Sequence, residues 1–272
     1  MKLRFRDSET QAEVIIGPRR GLFRICLRRP APGSASGAGE LRLLLVADLL
    51  RRVAEDIHGM QVQTAVVADD VPEDWDGVLD ALWIPAPAGY ARSLDDSAGV
   101  LGGPADVVLE HTPHDGSPAS APSPPQHRPP ALRVGPVFTE TSQAGSAAEI
   151  VAALATAGSD PLALRIALLQ DRHDQPLSLT PARLDQAADV LDRWRRLVAG
   201  WADHRSAPMP ARIVEQAYGA LDDHFDVGAV IEILHGLTDD PTVQPGAKFE
   251  TFVHFDRILA LELVRYLARP PA

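Results

Sequence analysis

The sequence predicts an α/β domain followed by an α-helical bundle. Three observations carry that prediction. Residues 22–67 read as strand, glycine-containing loop, helix and strand, the right-handed unit from which parallel nucleotide-binding sheets are built. Past residue 145 the short β-branched runs give way to segments whose apolar residues recur at steps of three and four. The chain has 272 residues, 45% of them hydrophobic, enough for a substantial core and for two domains, expected over 1–145 and 146–272.

Leu22, Phe23, Ile25, Cys26 and Leu27 make residues 22–27 a buried strand. Residues 30–39 are rich in Gly, Pro and Ser and read as a loop. Helical periodicity follows over 41–57: Leu44, Leu45, Ala47, Leu49, Leu50, Val53 and Ala54 form a broad apolar face, leaving Arg51, Arg52, Glu55 and Asp56 for solvent. Residues 61–67 return as a β-branched strand, and further strands are expected at 78–84, 106–109 and 132–138. The stretch 112–130 is so rich in Pro, Ser, Ala and His that it cannot bury enough apolar surface to order itself, and a mobile surface loop is expected there.

In the second half, Asp160-Pro161 and Thr180-Pro181 each place a capping residue before a proline, whose missing N–H is harmless in a first helical turn. After the second cap, Leu184, Ala187, Leu191, Trp194 and Val198 form a core-facing stripe. Further helices are expected at 210–221, 227–237 and 248–267. No internal repeat is evident.

A net charge of -11 and an isoelectric point near 5.2 disfavour a general nucleic-acid surface or an anionic-membrane surface, since both draw on clustered Lys and Arg. Cys26 is the one cysteine, so an internal disulfide and a cysteine-rich zinc module are excluded. No run reaches the ~18 apolar residues of a membrane helix, and a soluble, cytoplasmic protein is expected. Lysine occurs only at Lys2 and Lys248. A GC-rich coding bias would produce that scarcity by exchanging lysine for arginine.

Several blocks, in this order, resemble the class I cysteinyl-tRNA synthetases, and still more the related ATP-dependent ligase that joins cysteine to glucosaminyl-inositol in mycothiol synthesis. Cys26, then Gly37-Ala38-Gly39-Glu40, Arg42 and Asp48 stand where the family has a strand-end cysteine, its His-Ile-Gly-His motif, an arginine and a helical aspartate. Val66-Val67-Ala68-Asp69-Asp70 resembles a second strand end, and Gly102-Gly103-Pro104-Ala105-Asp106 through His111 resembles the glycine-rich block that leads to the family's zinc ligands. The resemblance implies a reduced, Rossmann-like class I synthetase catalytic domain ahead of the bundle. It assigns cofactor contacts to Gly37, Gly39, Arg42, Gly102, Gly103 and Asp106, with ATP as the cofactor. It also assigns a zinc-site remnant to Cys26, His111 and Asp115, with the fourth ligand falling near Leu94. Cys26 is equally at home as a small apolar core residue, so zinc itself is not expected.

The departures bear on activity. Adenylate formation needs cations and a helix N-terminus around the triphosphate. Gly37 and Glu40 replace both motif histidines, and the family's mobile lysine loop falls between residues 135 and 146, where Glu140, Thr141, Ser142, Gln143 and Ala144 carry no cation. Coding bias explains Lys becoming Arg, not Lys becoming Glu or Gln. The expectation is a synthetase-like protein retired from aminoacylation, with a ligand-binding, protein-interaction or regulatory role. The alternative is a residual ATP-dependent cysteine ligase in which Arg28, Arg29 or Arg133 supplies the missing charge. tRNA is not an expected partner: in Arg193-Trp194-Arg195-Arg196 the tryptophan reads as core and the arginines as a solvated face. No Gly-x-Ser-x-Gly or His-Glu-x-x-His motif occurs.

Overall fold

The computed structural model describes residues 3–16, 22–30, 37–69, 74–112, 129–139 and 145–267. β1 (Leu3–Arg6) and β2 (Glu13–Ile16) form an antiparallel hairpin. β3 (Leu22–Arg28) leads to α1 (Gly37–Arg52), which continues as a π-helical segment (Val53–Ile57) into β4 (Gln61–Val67). Then come α2 (Trp75–Ala81), β5 (Gly89–Ala91), α3 (Leu94–Val100), β6 (Val107–His111), β7 (Ala131–Val134) and β8 (Val137–Thr139). The remainder is α4 (Ala147–Thr156), α5 (Ala163–Leu169), β9 (Leu177–Leu179), α6 (Pro181–Trp201), α7 (Ala211–Asp222), α8 (Val227–Asp239), α9 (Pro245–Leu259) and a 3-10 turn (Arg265–Leu267).

The main sheet has the order β5-β4-β3-β6-β7, and all four pairings are parallel. Its first strand is central, the next two lie on one side and the following two on the other, the doubly wound, Rossmann-like order. Strand alternation sends Phe23, Ile25 and Leu27 into the large core beneath α1, while Cys26 faces Ala65, Val108 and the α3 residues Leu94 and Val100. The exposed edge of β7 is capped by the β1–β2 turn: Ser8 N–H donates to the Ala131 carbonyl at 2.9 Å, and Arg133 N–H donates to Ser8 Oγ at 2.9 Å. Edge covering of this kind removes a template for unwanted strand pairing.

Cores beneath the sheet and among the later helices form one apolar cluster, from Leu3 to Leu263. The halves are also joined by polar contacts: β8 pairs with β9 in parallel, and His58 Nε2 lies 2.8 Å from Asp222 Oδ1. Asp48 of α1 is the hub of a buried cluster. Its carboxylate accepts from Arg51 at 2.8 Å, from Arg52 at 2.8 Å and from Arg165 of α5 at 2.6 Å. Arg165 also donates to the carbonyls of Leu259 (2.6 Å) and Leu82 (2.9 Å). Arg51 and Arg52 thus turn inward rather than to solvent, because a carboxylate buried in an apolar helix face needs paired donors.

Of the two expected caps, the one at Thr180 forms; at the other, Asp160 Oδ1 accepts from Leu162 N–H at 2.9 Å, but α5 begins only at Ala163, with Leu162 before it and no side-chain cap. Thr180 Oγ1 accepts from Arg183 N–H at 3.2 Å with Pro181 in the first turn, and Ala187, Leu191, Trp194 and Val198 of the α6 stripe are buried. Ser146 and Glu149 form a reciprocal capping box at α4.

Four expectations change. Residues 78–84 are not a strand: Trp75, Val78, Leu79 and Leu82 share one buried face of α2, and a short apolar run does not distinguish strand from helix by itself. The 132–138 strand splits at Gly135-Pro136, where a side chain at Gly135 would collide with the Gln175 backbone, so β8 turns away to join β9. The helix expected at 41–57 begins at Gly37 and ends in π geometry. The last helix spans Pro245–Leu259 and stops at Ala260, whose φ of 52° is left-handed. The predicted loop at 112–130 lies, over 113–128, outside the described residues. Among the described residues no helix is long and apolar enough to cross a membrane.

Loop residue His173, between α5 and β9, is buried, and burial pushes its imidazole down to about 4. The unfolded chain, with an ordinary histidine near 6.5, therefore binds the extra proton first. Stability is full above about pH 6.5 and falls as pH drops toward 4, by about 3 kcal/mol from this group. Thermal unfolding between pH 7 and 4 should show a steeper loss for the native chain than for His173→Gln; parallel curves would contradict the assignment.

Candidate functional site

In a doubly wound sheet the ligand crevice lies outside the carboxyl ends of the strands, where the winding reverses. Here that point is between β3 and β6, at the register pair Arg28 and Glu110. Alternation puts Arg28, Glu110 and Arg133 on the α3 side of this edge and His111 on the α1 side. Glu110 is 2% exposed; Arg133 Nε donates to its Oε1 at 3.0 Å, and Arg28 Nη1 stands 3.8 Å from its Oε2. Arg133 also reaches Glu9 at 3.6 Å. On the α1 side Arg29 is ion-paired with Glu40 in the first turn of α1, and its guanidinium lies 5.0 Å over the Trp75 ring.

Two of the expected cofactor contacts are at this edge. Gly37 and Gly39 open α1, and both are needed as glycine for packing. A Cβ on Gly39 would lie 2.6 Å from His111 Nε2, and one on Gly37 would collide with the backbone of Gly145 and Ser146. The other four are elsewhere. Arg42 is fully buried and donates to the carbonyls of Gln175 (2.6 Å), Arg172 (2.8 Å), Leu168 (3.2 Å) and Gly135 (3.3 Å). Burial lowers its guanidinium to about 10, against the pull of Asp171. Gly102, Gly103 and Asp106 sit at the opposite, amino end of the sheet. Gly102 (φ 63°) and Gly103 (φ 155°) turn the chain out of α3, and Asp106 Oδ2 accepts from Arg24 N–H at 2.9 Å at the start of β3. Four residues of strand, roughly 13 Å, separate Asp106 from Glu110.

The expected metal residues do not meet. Cys26 and His111 are on opposite faces of the sheet, as their register and alternation require, and Asp115 lies outside the described residues. Leu94, at the fourth position, packs with the Cys26 cluster as an apolar wall. Burial raises the Cys26 thiol above its ordinary value, with a hydrogen bond to Ser97 and the charge of Arg28 opposing, so the thiolate that zinc needs is disfavoured. Among the described residues no three His, Cys, Asp or Glu side chains converge to hold a metal. Cys26 and His111, the two of these residues among the described ones, therefore do not fit together in the zinc site that the resemblance implies.

The arginine-rich stretch of α6 is also corrected. Arg195 is 3% exposed rather than solvated; it pairs with Asp160 at 2.5 Å and donates to the carbonyls of Leu261 (2.6 Å) and Glu262 (3.1 Å). Arg193 pairs with Asp239 at 3.1 Å and Arg196 with Asp192 at 2.7 Å. The alternative ligase reading named Arg28, Arg29 and Arg133 as substitutes for the missing charge; the structure places them at this edge and pairs them with Glu40 and Glu110. Arg28 ends β3 and Glu110 is the last but one residue of β6, on the same face, and that shared position near the strand ends was the signal available for their pairing.

No family model matches the chain. Part of it is 40% identical over 82 residues to an L-cysteine:1D-myo-inositol 2-amino-2-deoxy-alpha-D-glucopyranoside ligase of Frankia casuarinae, a stretch covering 30% of this chain and 18% of that protein. A ligase of the same name from a Parafrankia species is 37% identical over 82 residues, 30% of this chain and 18% of its own. A cysteine–tRNA ligase of Rhodospirillum centenum is 33% identical over 89 residues, 31% of this chain and 19% of its own. The matched stretch is thus under a fifth of the length of each relative. Over that stretch the chain is similar to both kinds of cysteine ligase, as the order of its motifs implies.

Proposed function

We propose that this protein is a synthetase-like binding protein, retired from adenylate formation, that keeps the nucleotide-type sheet and a helical bundle but engages a small ligand or a protein partner at the carboxyl edge. The observation that carries this reading is the pairing of Arg28 and Arg133 with Glu110 and of Arg29 with Glu40. Adenylate chemistry requires preorganised positive charge where the pyrophosphate departs. At the β3–β6–β7 edge the arginines are matched by carboxylates, one of them in the first turn of α1, where a phosphate would otherwise be favoured. ATP is the first small molecule to try, as a ligand without turnover.

Cysteine-dependent ATP–pyrophosphate exchange tests the proposal. Exchange at the level of a protein-free control is the expected result. Exchange well above it, lost on Arg28→Ala and Arg29→Ala, would establish the residual ligase instead.

A further inference from the structure

Two aromatic side chains, Trp83 and Tyr90, lie on the surface beside the β5 edge of the sheet. Trp83 directly follows α2, and its φ of 57° is left-handed. Trp83 N–H donates to the Asp80 carbonyl at 3.1 Å and Ile84 N–H to the Leu79 carbonyl at 2.9 Å, a helix-ending pair of bonds whose left-handed residue is usually glycine. A tryptophan there carries backbone strain and leaves a large apolar ring 54% exposed. Glycine at this position would avoid both. The outer face of α2 continues the surface: Asp76 and Asp80, one turn apart, are exposed and pair with no cation among the described residues. Alternation puts Tyr90 on the α2 side of β5, 38% exposed, where burial and then the Asp76 charge raise its hydroxyl. Of the nearby cations, Arg52, which donates to the Trp83 carbonyl at 2.7 Å, is matched by Asp48, and Arg92 is exposed past the end of β5.

The opposite end of the sheet carries the complement. The β1–β2 hairpin lies beyond β7, and its register pairs Arg4 with Ile15 and Arg6 with Glu13. Leu3, Phe5 and Ile16 turn into the core, so Arg4, Arg6 and Ile15 form the outer face. Ile15 is 53% exposed; with Trp83 it is one of the two most exposed large apolar side chains among the described residues. The Arg6 guanidinium has no partner among the described residues, and Arg4 has the exposed Glu13 at 3.7 Å, a pair worth little. Arg4 and Arg6 stand two strand residues apart, roughly 7 Å, and Asp76 and Asp80 one helical turn apart, roughly 6 Å. The same asymmetry runs through the sequence. Residues 1–30 hold eight Lys and Arg against three Asp and Glu, whereas residues 69–96 hold eight Asp and Glu against one Arg.

We propose that copies of this chain associate head to tail, the outer hairpin face of one docking on the Trp83–Tyr90 stripe of the next. Ile15 packs against the exposed rings, and Arg4 and Arg6 meet Asp76 and Asp80, where a guanidinium also stacks well on an aromatic face. A two-fold contact of either surface with itself would oppose like charges, so the contact is heterologous. The two surfaces lie at opposite ends of the sheet, so each copy uses both and growth does not stop at two. A contact of this size is weak and transient. It does not depend on the reading of the carboxyl edge.

Sedimentation velocity of the native chain, from micromolar to near-millimolar concentration, tests the contact. The expected result is a mean sedimentation coefficient that keeps rising past that of a dimer, with association several-fold weaker when salt is raised from about 0.05 to about 0.5 M. Asp76→Arg with Asp80→Arg makes a chain with two basic ends, and Arg4→Glu with Arg6→Glu makes one with two acidic ends. Each alone should stay monomeric, and an equimolar mixture of the two should associate again. A native chain that stays monomeric or stops at a dimer, a swapped chain that associates by itself, or a mixture of two folded swapped chains that does not associate would each overturn the proposal. Should a swapped chain fail to fold, Trp83→Gly decides, since glycine suits that backbone. Association weakened about ten-fold or more, with a melting temperature unchanged or higher, supports the contact, and association equal to that of the native chain overturns it.

Discussion

Replacing Asp48 with Leu should destabilise the protein by about 3–5 kcal/mol, the usual result of removing one partner from a buried ion pair. The carboxylate has no exposed side-chain surface and holds three guanidinium groups, of which Arg165 is 1% exposed. Burial alone would raise the Asp48 carboxyl, but Arg165, Arg52 and Arg51 together bring it below its ordinary value, so it is ionised when folded. Without it, Arg165 is a buried cation between the carbonyls of Leu82 and Leu259. Asp48→Asn should be nearly as damaging, since it keeps the shape and removes the charge. Adding Arg165→Met to Asp48→Leu should recover part of the loss, because the stranded cation goes with it. Denaturant midpoints measure all three, and a double variant less stable than Asp48→Leu would contradict this account.

Arg42→Met should cost about 3–5 kcal/mol, through five carbonyls that lose a charged donor in a buried place. Its effect should be concentrated in the 170–176 loop and the β8–β9 pair. Hydrogen exchange of Gly135 N–H, which donates to the His173 carbonyl, and of Leu177 N–H, which donates to Pro136, reports this directly. Arg42→Lys should rescue little, because an ammonium group cannot reproduce a planar fork spanning several acceptors. Unchanged exchange in this region on loss of Arg42 would return the side chain to the list of ligand contacts that the motif order implied.

These two residues mark the limit of what the motif order could show. Arg42 and Asp48 follow the glycine motif as in the ligases, and by position alone Arg42 reads as a phosphate contact. In the structure both point into the joint between α1 and the later helices, where Arg165 of α5 pairs with Asp48, and the end of α5 and the loop after it supply most of the Arg42 acceptors. No local pattern encodes partners more than a hundred residues away. Gly102 and Asp106 mislead for a related reason: they belong to a block that resembles a ligand-binding one, yet a parallel strand has two ends, and these residues occupy the amino end.

Local chemistry alone made much of the fold legible. The strand at 22–27 was readable as a nearly continuous apolar run, that at 61–67 by its β-branched residues, and α6 because Thr180-Pro181 marks its start and a stripe at helical spacing marks its face. The sequence alone also determined the absence of cationic side chains over Glu140–Ala144, a fact of composition at a position. The tertiary structure alone decided what the remaining charges do. Whether Arg28, Arg29 and Arg133 face a ligand or a carboxylate depends on which strands are neighbours and on which face each residue points. That register separates Cys26 from His111 and brings Glu110 between two arginines, because alternation along a strand and pairing across a sheet are set by the whole core.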